Sequence, residues 1–152
     1  MSAAAGIYAR EFDGLGCLVQ LGVAGDRVIS VTFPTERPPD ADTDHGLLDR
    51  VGAYLDGAED DFDDVPVGLT LPTDQRRVLE AVQNVPFGEQ VSVELAARMT
   101  PDLDHESDAG RQTVRDALAA NPVPLFVPDH RVRGAPSGAP DRVVRVFRDL
   151  EG

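Results

Sequence analysis

Lysine is absent from this 152-residue chain, and all 14 of its Lys or Arg positions are arginine. Against 27 acidic residues this leaves a formal net charge of −13. Acidic surfaces without lysine suit a cytoplasm with molar salt, where charge screening acts over about 3 Å. The composition therefore favours a halophilic archaeon as the source, and a GC-rich genome that favours Arg and Asp codons would be compatible with it.

Cysteine occurs once, at Cys17, which excludes an intrachain disulfide and a cysteine-based zinc site. No apolar run approaches the roughly 20 residues that a membrane span needs. The N-terminus from Met1 to Gly6 lacks the basic and apolar regions of a signal peptide. About two-fifths of the residues are hydrophobic, enough for a core. We therefore expect a cytoplasmic, folded, monomeric protein without a membrane contact.

Metal-ligating patterns are also missing. The acidic segment 59–64 lacks the Asp-x-Asp-x-Asp-Gly order of a calcium loop. His45 and His105 lie in acidic loops without the paired spacing of metal ligands, so we expect both side chains to be solvated. The sequence predicts no metal site.

The charge is divided unevenly along the chain. Residues 1–68 carry four arginines and fourteen acids, whereas residues 69–152 carry ten arginines and thirteen acids. Seven of these ten arginines lie between Arg111 and Arg148. If either half contacts a phosphate backbone, we expect it to be the second.

The first half has the pattern of an α/β unit. Apolar, β-branched runs at 15–23 and 28–33, separated by a turn at 24–27, predict a β-hairpin. Helical spacing of Leu and Val predicts a helix over 44–56. A boundary at 69–71 then divides the chain into domains 1–68 and 69–152.

The second half is predicted to be mainly helical. We expect a helix capped by Thr73 that runs through Asn84, and a short helix over 93–99 capped by Ser92. A helix over 108–120 and a terminal helix over 141–150 complete the pattern. The 108–120 helix turns Val114, Ala117 and Leu118 inward and presents Arg111, Gln112, Arg115 and Ala119 on its outer face. Two short helices joined by a polar loop, the second with exposed arginines, resemble a helix-turn-helix.

The most informative stretch is residues 121–132, NPVPLFVPDHRV. It resembles the active-site strand of the O6-alkylguanine-DNA alkyltransferases, in which Asn-Pro and an apolar run precede Pro-Cys-His-Arg-Val. Asp129 stands where that family has the cysteine that takes the alkyl group from damaged guanine. The resemblance therefore indicates a family. The same stretch shows that this chain lacks the acceptor sulfur of that family.

Further motifs of the same family occur in the right order and spacing. They are 54–57 (YLDG) with 62–66 (FDDVP), 73–79 (TDQRRVL), 85–92 (VPFGEQVS), 95–96 (LA) and 150–152 (LEG). On these motifs the chain is identified as a member of that family. The resemblance implies an N-terminal ribonuclease-H-like α/β domain, a mainly α C-terminal domain with a helix-turn-helix, and no cofactor.

In the family reaction a cysteine thiolate is activated by a histidine that a glutamate orients. His130 and Glu151 match the last two roles, and Asp129 matches the first without a thiol. Three interpretations of Asp129 stay open. It could form a labile ester as a weak nucleophile, or it could accept hydrogen bonds from a flipped base or from protein groups. Alternatively, Asp129 and Glu151 could simply pair with His130 and Arg131 inside a pocket that has lost its function. For Asn121 and Arg131 the resemblance favours structural roles.

Other departures affect DNA binding. Val93 occupies the position of the tyrosine that helps to rotate the target nucleotide, and Gln112 aligns with the arginine finger, for which Arg111 or Arg115 could substitute. The base-pocket loop is reduced to residues 136–140. Extruding a base costs a few kcal/mol, and these changes remove most of the groups expected to offset that cost.

Three functions remain open. The first is a non-enzymatic, alkyltransferase-like protein that binds double-stranded DNA, with Arg111, Arg115, Arg131 and Arg133 at phosphate or groove and Asp129 lining an O6-alkylguanine pocket. The second is a protein-interaction module that keeps the fold and binds a basic partner. The third is a divergent methyltransferase with a non-cysteine acceptor. Cys17 lies on a predicted strand, where we expect it in the core.

Overall fold

A three-stranded antiparallel sheet comes first along the chain. The computed structural model describes residues 6–152, so the predicted absence of a signal peptide falls mostly on residues outside the described range. The strands are β1 (Gly6–Phe12), β2 (Cys17–Ala24) and β3 (Arg27–Thr32), in the order β1-β2-β3. The predicted hairpin is therefore confirmed, with its turn at Gly25, where φ is +64°.

Strand β1 is not predicted by the sequence pattern. It pairs with β2 without interruption, from Gly6 opposite Val23 to Phe12 opposite Cys17. The adjacent charges of Arg10 and Glu11 hide its alternation, and only the pairing with β2 makes this segment a strand.

Helix α1 (Gly46–Leu55) confirms the helix predicted over 44–56. It lies along β1, where Arg10 Nη1 pairs with Asp49 Oδ1 at 2.8 Å. The prediction that His45 is simply solvated is wrong. Its Nδ1 accepts a hydrogen bond from the Leu47 backbone N–H at 3.0 Å, and its ring packs against Tyr8. A helix start leaves backbone donors without partners, and this histidine supplies one acceptor.

Four helices follow in the second half: α2 (Thr73–Val82), α3 (Val93–Met99), α4 (Asp108–Ala119) and α5 (Asp141–Glu151). All four confirm predicted helices to within two residues, the usual uncertainty of helix ends. The predicted cap of α3 is also confirmed, since Ser92 Oγ accepts from the Leu95 N–H at 3.0 Å. Thr73 was predicted as a cap, but it is the first residue of α2, and the capping position is Pro72.

Helices α2, α3 and α4 pack together, with residues 100–107 connecting α3 to α4. The inner face of α4 consists of Val114, Ala117 and Leu118, all fully buried as predicted. Its outer residues Arg111 and Arg115 are half-buried, whereas Gln112 is exposed.

A short parallel pair of strands, β4 (Val91–Ser92) and β5 (Val132–Arg133), joins the start of α3 to the end of the 121–132 stretch. Between them in sequence, Asp129–Arg131 forms one turn of 3-10 helix. The second half thus folds back so that residues 129–131 contact α5.

The two predicted halves share one hydrophobic core. Phe147 of α5 packs against Phe33 after β3 and Tyr54 of α1, with ring centroids 6.2 and 5.8 Å apart. The segment 56–72 between α1 and α2 contains no helix; the domain boundary predicted at 69–71 falls inside it and stays a prediction. Within residues 6–152, no helix is both long and apolar enough to cross a bilayer.

Candidate functional site

Residues 121–128 form a tight, buried turn that sets the position of Asp129. Val127 N donates to Val123 O at 2.9 Å, and Leu125 adopts a φ of +80°, a backbone conformation that costs free energy for a residue with a side chain. Asn121 spans this turn from inside. Its Oδ1 accepts from Val123 N at 3.1 Å and its Nδ2 donates to Val127 O at 3.0 Å. This geometry supports the structural role that the sequence favours for Asn121.

The Asp129 carboxylate is surrounded by donors. It is only 1% exposed and accepts from Ser137 Oγ at 2.6 Å, Gly138 N at 2.8 Å and Asn121 Nδ2 at 3.0 Å. Burial raises the pKa of Asp129 above its ordinary value, and the three hydrogen bonds oppose that rise only in part. Two of the three donors come from the 136–140 loop, which therefore closes directly on this carboxylate.

Glu151, at the end of α5, is the centre of a second buried network. Its Oε2 accepts from Tyr54 Oη and His130 Nε2, each at 2.6 Å, and from Arg131 Nη2 at 2.9 Å. Its Oε1 accepts from Arg131 Nε at 2.8 Å and, at 3.4 Å, from the Gly88 N–H. Burial opposes ionisation, but the hydrogen bonds from His130, Arg131 and Tyr54 and the charge of His130 outweigh it and lower the pKa of Glu151 to about 2. Burial and the hydrogen bond to Glu151 raise the pKa of the Tyr54 hydroxyl.

His130 follows Asp129 in the chain and is buried against Glu151. Since an ionised Glu151 only accepts hydrogen bonds, Nε2 is the nitrogen that carries the proton in this contact. Its Nδ1 has no hydrogen-bond partner among the described residues, and the ring packs against Phe147 with centroids 5.3 Å apart. The structure thus brings together the predicted His130 and Glu151 as a histidine–carboxylate pair.

Arg131 is fully buried, at 0% exposure. Beyond Glu151 it donates to Val85 O at 2.7 Å and to Asp60 O at 3.4 Å. The burial of the guanidinium among protein acceptors disfavours the predicted phosphate contact of Arg131. It supports instead the structural role that the resemblance favours.

The remaining predicted DNA-contacting residues lie on α3 and α4. Val93 is buried at the start of α3, so its side chain belongs to the core. On α4, Arg111 pairs with Asp108 and donates to His105 O, and Gln112 donates to Asp116 Oδ1 at 2.8 Å. Arg115 lies one turn further along the same face. Arg133, on β5, is exposed and donates to Gln90 O at 3.3 Å.

An open cleft of about 360 Å³ borders the Glu151 network on its outer side. Its lining residues are Gly88, Glu89, Gln90, His130, Arg131, Arg148, Glu151 and Gly152. Asp129 does not line this cleft. Within residues 6–152, no group of three or more His, Cys, Asp or Glu side chains is placed to hold a metal ion.

Sequence reasoning missed the partners that saturate the two carboxylates. Ser137 and Gly138 belong to the loop noted as shortened, and Tyr54 belongs to the 54–57 motif, but nothing in their local pattern indicates what they bind. The acidic character of segment 59–64 likewise does not indicate its partners. Asp60 and Asp64 hold Arg50, at 2.7 and 2.9 Å, and Asp61 accepts from Phe87 N.

Comparison with known proteins agrees with the family motifs found in the sequence. The family model described as "6-O-methylguanine DNA methyltransferase, DNA binding domain" matches residues 73–142. A methylated-DNA–protein-cysteine methyltransferase of Methanopyrus kandleri is 34% identical over 111 residues, which are 71% of this chain and 79% of that protein. The chain belongs to the methylated-DNA–protein-cysteine methyltransferase family. A relative with the same name from Metallosphaera sedula is 32% identical over 57% of this chain and 51% of that protein.

The fold of this family member also has a counterpart among solved structures. A crystal structure of Mycobacterium tuberculosis OGT in complex with DNA has a TM-score of 0.70 and covers 95% of this chain and 91% of that chain. At 22% identity this likeness establishes the shared fold. The methyltransferase DNA-binding match includes α2, α3, α4 and residues 121–133, whereas Glu151 lies beyond it.

Proposed function

We propose that this chain is a non-enzymatic, alkyltransferase-like protein that binds double-stranded DNA and does not accept an alkyl group. The family membership, the match of residues 73–142 to a DNA-binding domain model and the fold shared with a protein crystallised on DNA support DNA binding. The absence of transfer is supported by the chemistry of one position, Asp129.

Asp129 is the observation on which this proposal depends. It occupies the position where the family resemblance places the acceptor cysteine, and all three of its close donors are groups of the protein itself. A carboxylate is a weaker nucleophile toward a methyl carbon than a thiolate, and hydrogen bonds to its oxygens weaken it further. Transfer to Asp129 would require these contacts to break first.

Cys17 offers no alternative acceptor. It is 2% exposed, it lies on β2 within the core, and burial raises the pKa of its thiol. A protonated, enclosed thiol is a poor nucleophile. The single sulfur nucleophile of the chain is therefore neither ionised nor accessible.

DNA would be contacted by the α3–α4 pair, which we propose as a helix-turn-helix, with the first half as a ribonuclease-H-like domain. Arg111 and Arg131 are already paired with acids. Arg115 on the outer face of α4 and the exposed Arg133 are then the better candidates for phosphate contacts. Few such contacts mean modest affinity that falls with salt, so shape and groove contacts would have to contribute.

A second candidate function, a protein-interaction module with the same fold, is favoured by a specific observation. Gln112 aligns with the arginine finger of the family, and Arg111 is its neighbour. Their side chains are held by Asp116 and Asp108, respectively, on their own helix. Side chains neutralised in this way are less available to a nucleic acid.

The proposal is tested with duplexes that contain one O6-methylguanine or one guanine at the same position. Intact-protein mass spectrometry after incubation should show no methyl adduct, and the lesion should persist in the DNA. Fluorescence anisotropy in buffered KCl should show binding of the duplex. Asp129→Cys is the matched variant, since it restores a thiol next to His130.

The outcomes separate the candidates. A methyl adduct on the unaltered chain, or loss of the lesion, would establish transfer and end the non-enzymatic proposal. Anisotropy that stays unchanged for both duplexes at low salt would favour the interaction module. A weaker anisotropy change for Arg115→Ala than for Arg37→Ala, an exposed control outside the helix pair, would favour DNA contact by α4.

A further inference from the structure

We propose that Asp129 is a latch that holds residues 134–140, the lid, closed over the candidate site, so that the protein binds duplex DNA without taking a nucleobase into this site. The DNA part rests on the proposed function, whereas the latch itself is a property of the free protein. Asp129 then determines specificity by keeping a ligand out.

The contacts between the lid and the carboxylate are direct. Ser137 Oγ donates to Oδ1 at 2.6 Å, and the Gly138 N–H donates to Oδ2 at 2.8 Å. Ser137 Oγ in turn accepts from Ala139 N at 2.9 Å, and Ala139 is buried. The lid is thus fixed through one carboxylate, with a single serine joining the carboxylate to the lid backbone.

The lid is also packed too closely to admit a ligand while it is shut. A methyl group added at Gly138 would overlap the Asn121 carbonyl oxygen. A nucleobase is far larger than a methyl group, so it can enter beside Asp129 only if the lid backbone moves away. Asn121 contributes from the other side, because its Nδ2 donates to the same Oδ2 that Gly138 contacts.

The ends of the lid allow such a movement. Gly134 adopts a φ of +69°, which a glycine tolerates without strain, and Pro140 precedes α5. Gly134, Pro136 and Gly138 are exposed, and the apolar contacts of the lid are those of the buried Ala139 and the half-buried Ala135, which packs against the core. Because little else holds it, the hydrogen bonds to Asp129 decide whether the lid stays closed.

The same carboxylate disfavours an alkylated guanine on chemical grounds. Opening the lid removes two donors from a buried carboxylate, and an unpaired buried charge is costly. An entering base would have to replace those donors. Alkylation at O6 removes the N1 proton of guanine, so the lesion offers fewer donors to Asp129 than the undamaged base does.

Hydrogen–deuterium exchange of the full chain tests the latch without DNA. The Gly138 and Ala139 amides are the reporters, because one donates to Asp129 and the other to Ser137. Asp129→Ala removes the acceptors of all three donors, whereas in Asp129→Asn the amide could donate to the Ser137 hydroxyl and keep the lid closed. In Asp129→Ala we expect exchange of these reporters to rise by about tenfold or more, while amides of β2 and α4 keep their protection.

Ser137→Ala is the second variant, because it removes one lid contact and leaves the buried charge with Gly138 and Asn121. Only the Gly138 amide reports on the lid in this variant, since the Ala139 amide loses its own acceptor. This variant should raise reporter exchange by a smaller factor, and the exposed Asp149→Asn should leave it unchanged. Wild-type reporters that exchange as fast as an unstructured amide would overturn the latch. Unchanged exchange in both Asp129→Ala and Ser137→Ala would overturn it as well.

The DNA arm uses the two duplexes above with 2-aminopurine beside the target base. The wild-type protein should bind both duplexes equally and leave the 2-aminopurine fluorescence unchanged, since no base is extruded. Tighter binding of the methylated duplex with a rise in fluorescence would contradict exclusion. If neither duplex binds, the proposed function fails, and the exchange experiment still decides whether the latch exists.

Discussion

At the scale of single residues, the carboxylate of Glu151 organises the site. Five hydrogen bonds reach it from three separate parts of the chain: Tyr54, Gly88, and the adjacent His130 and Arg131. The Arg131 guanidinium is buried with it, so neither charge is solvated. Removing one partner of a buried ion pair leaves the other uncompensated and is strongly destabilising.

Replacing Glu151 by glutamine should therefore lower the free energy of unfolding by roughly 3 to 5 kcal/mol. Glutamine keeps the shape but leaves the Arg131 charge without a counter-ion. Urea denaturation at fixed KCl, followed by circular dichroism, measures the change. The control is Glu106→Gln, an exposed position, which should change stability little. Equal stability of the two variants would show that the Glu151 charge contributes nothing to folding.

The Glu151 network also predicts how stability responds to acid. Its folded pKa of about 2 lies below the ordinary 4.5, so the unfolded chain binds the proton more readily. The contribution is fully present above about pH 4.5 and is lost as the pH falls toward 2. Asp129, with a raised pKa, has the opposite sign: its contribution decreases as the pH rises through that pKa.

Thermal unfolding of the wild type and Glu151→Gln across pH 2 to 6 isolates the Glu151 contribution. The difference in stability between the two proteins should be largest near pH 6 and should shrink as the pH is lowered through the window from 4.5 to 2. A difference that is constant over this range would mean that Glu151 does not titrate as its contacts imply.

At the scale of elements, the start of α4 is fixed by two close contacts. Ser107 Oγ accepts from Gly110 N at 2.9 Å and caps the helix. Gly110 lies in the first turn, where the Asp104 carbonyl approaches so closely that a Cβ would overlap it. The 100–107 connection therefore folds back onto α4 because a residue without a side chain is present at Gly110.

Gly110→Ala tests this packing against helix propensity. Alanine is favoured over glycine within helices by about 1 kcal/mol, but the overlap with backbone atoms requires a shift of the connection that costs roughly 1 to 3 kcal/mol. We expect a net loss of stability in urea denaturation. The matched control is Gly46→Ala in the first turn of α1, where a Cβ meets nothing within 4 Å. Stabilisation of both variants would contradict the packing argument.

At the scale of the whole molecule, charge is the dominant feature. With a net charge of −13 on 152 residues, the folded chain repels itself at low ionic strength, and salt screens that repulsion. Several acids are engaged, as Asp49, Asp60 and Asp64 are with arginines. Others, such as Asp13, Asp56 and Asp63, are exposed.

The melting temperature should therefore rise as KCl is raised from tens of millimolar to molar concentrations. A variant that combines Asp13→Asn, Asp56→Asn and Asp63→Asn provides the control: it should be more stable than the wild type at low salt, and the gap should narrow at high salt as screening replaces the missing charge. A melting temperature that is flat or falling with KCl would rule out self-repulsion as the cause.

The sequence by itself determined the local structure and the family. The β2–β3 hairpin, the four helices of the second half and the inner face of α4 follow from periodicity and turn residues, which act over a few positions. The motifs around residues 121–132 fixed the family, and the composition fixed the charge. These features are local in sequence or summed over the chain, so the sequence alone is enough to predict them.

Tertiary structure alone decided what the site residues do. Tyr54 and Glu151 are 97 positions apart in sequence, yet they share a hydrogen bond. The saturation of Asp129 by Ser137 and Gly138, the burial of Arg131 and the pairing of β1 likewise arise only when distant segments meet. Hydrogen bonds and burial depend on which groups the folded chain brings together, and no local pattern encodes that choice.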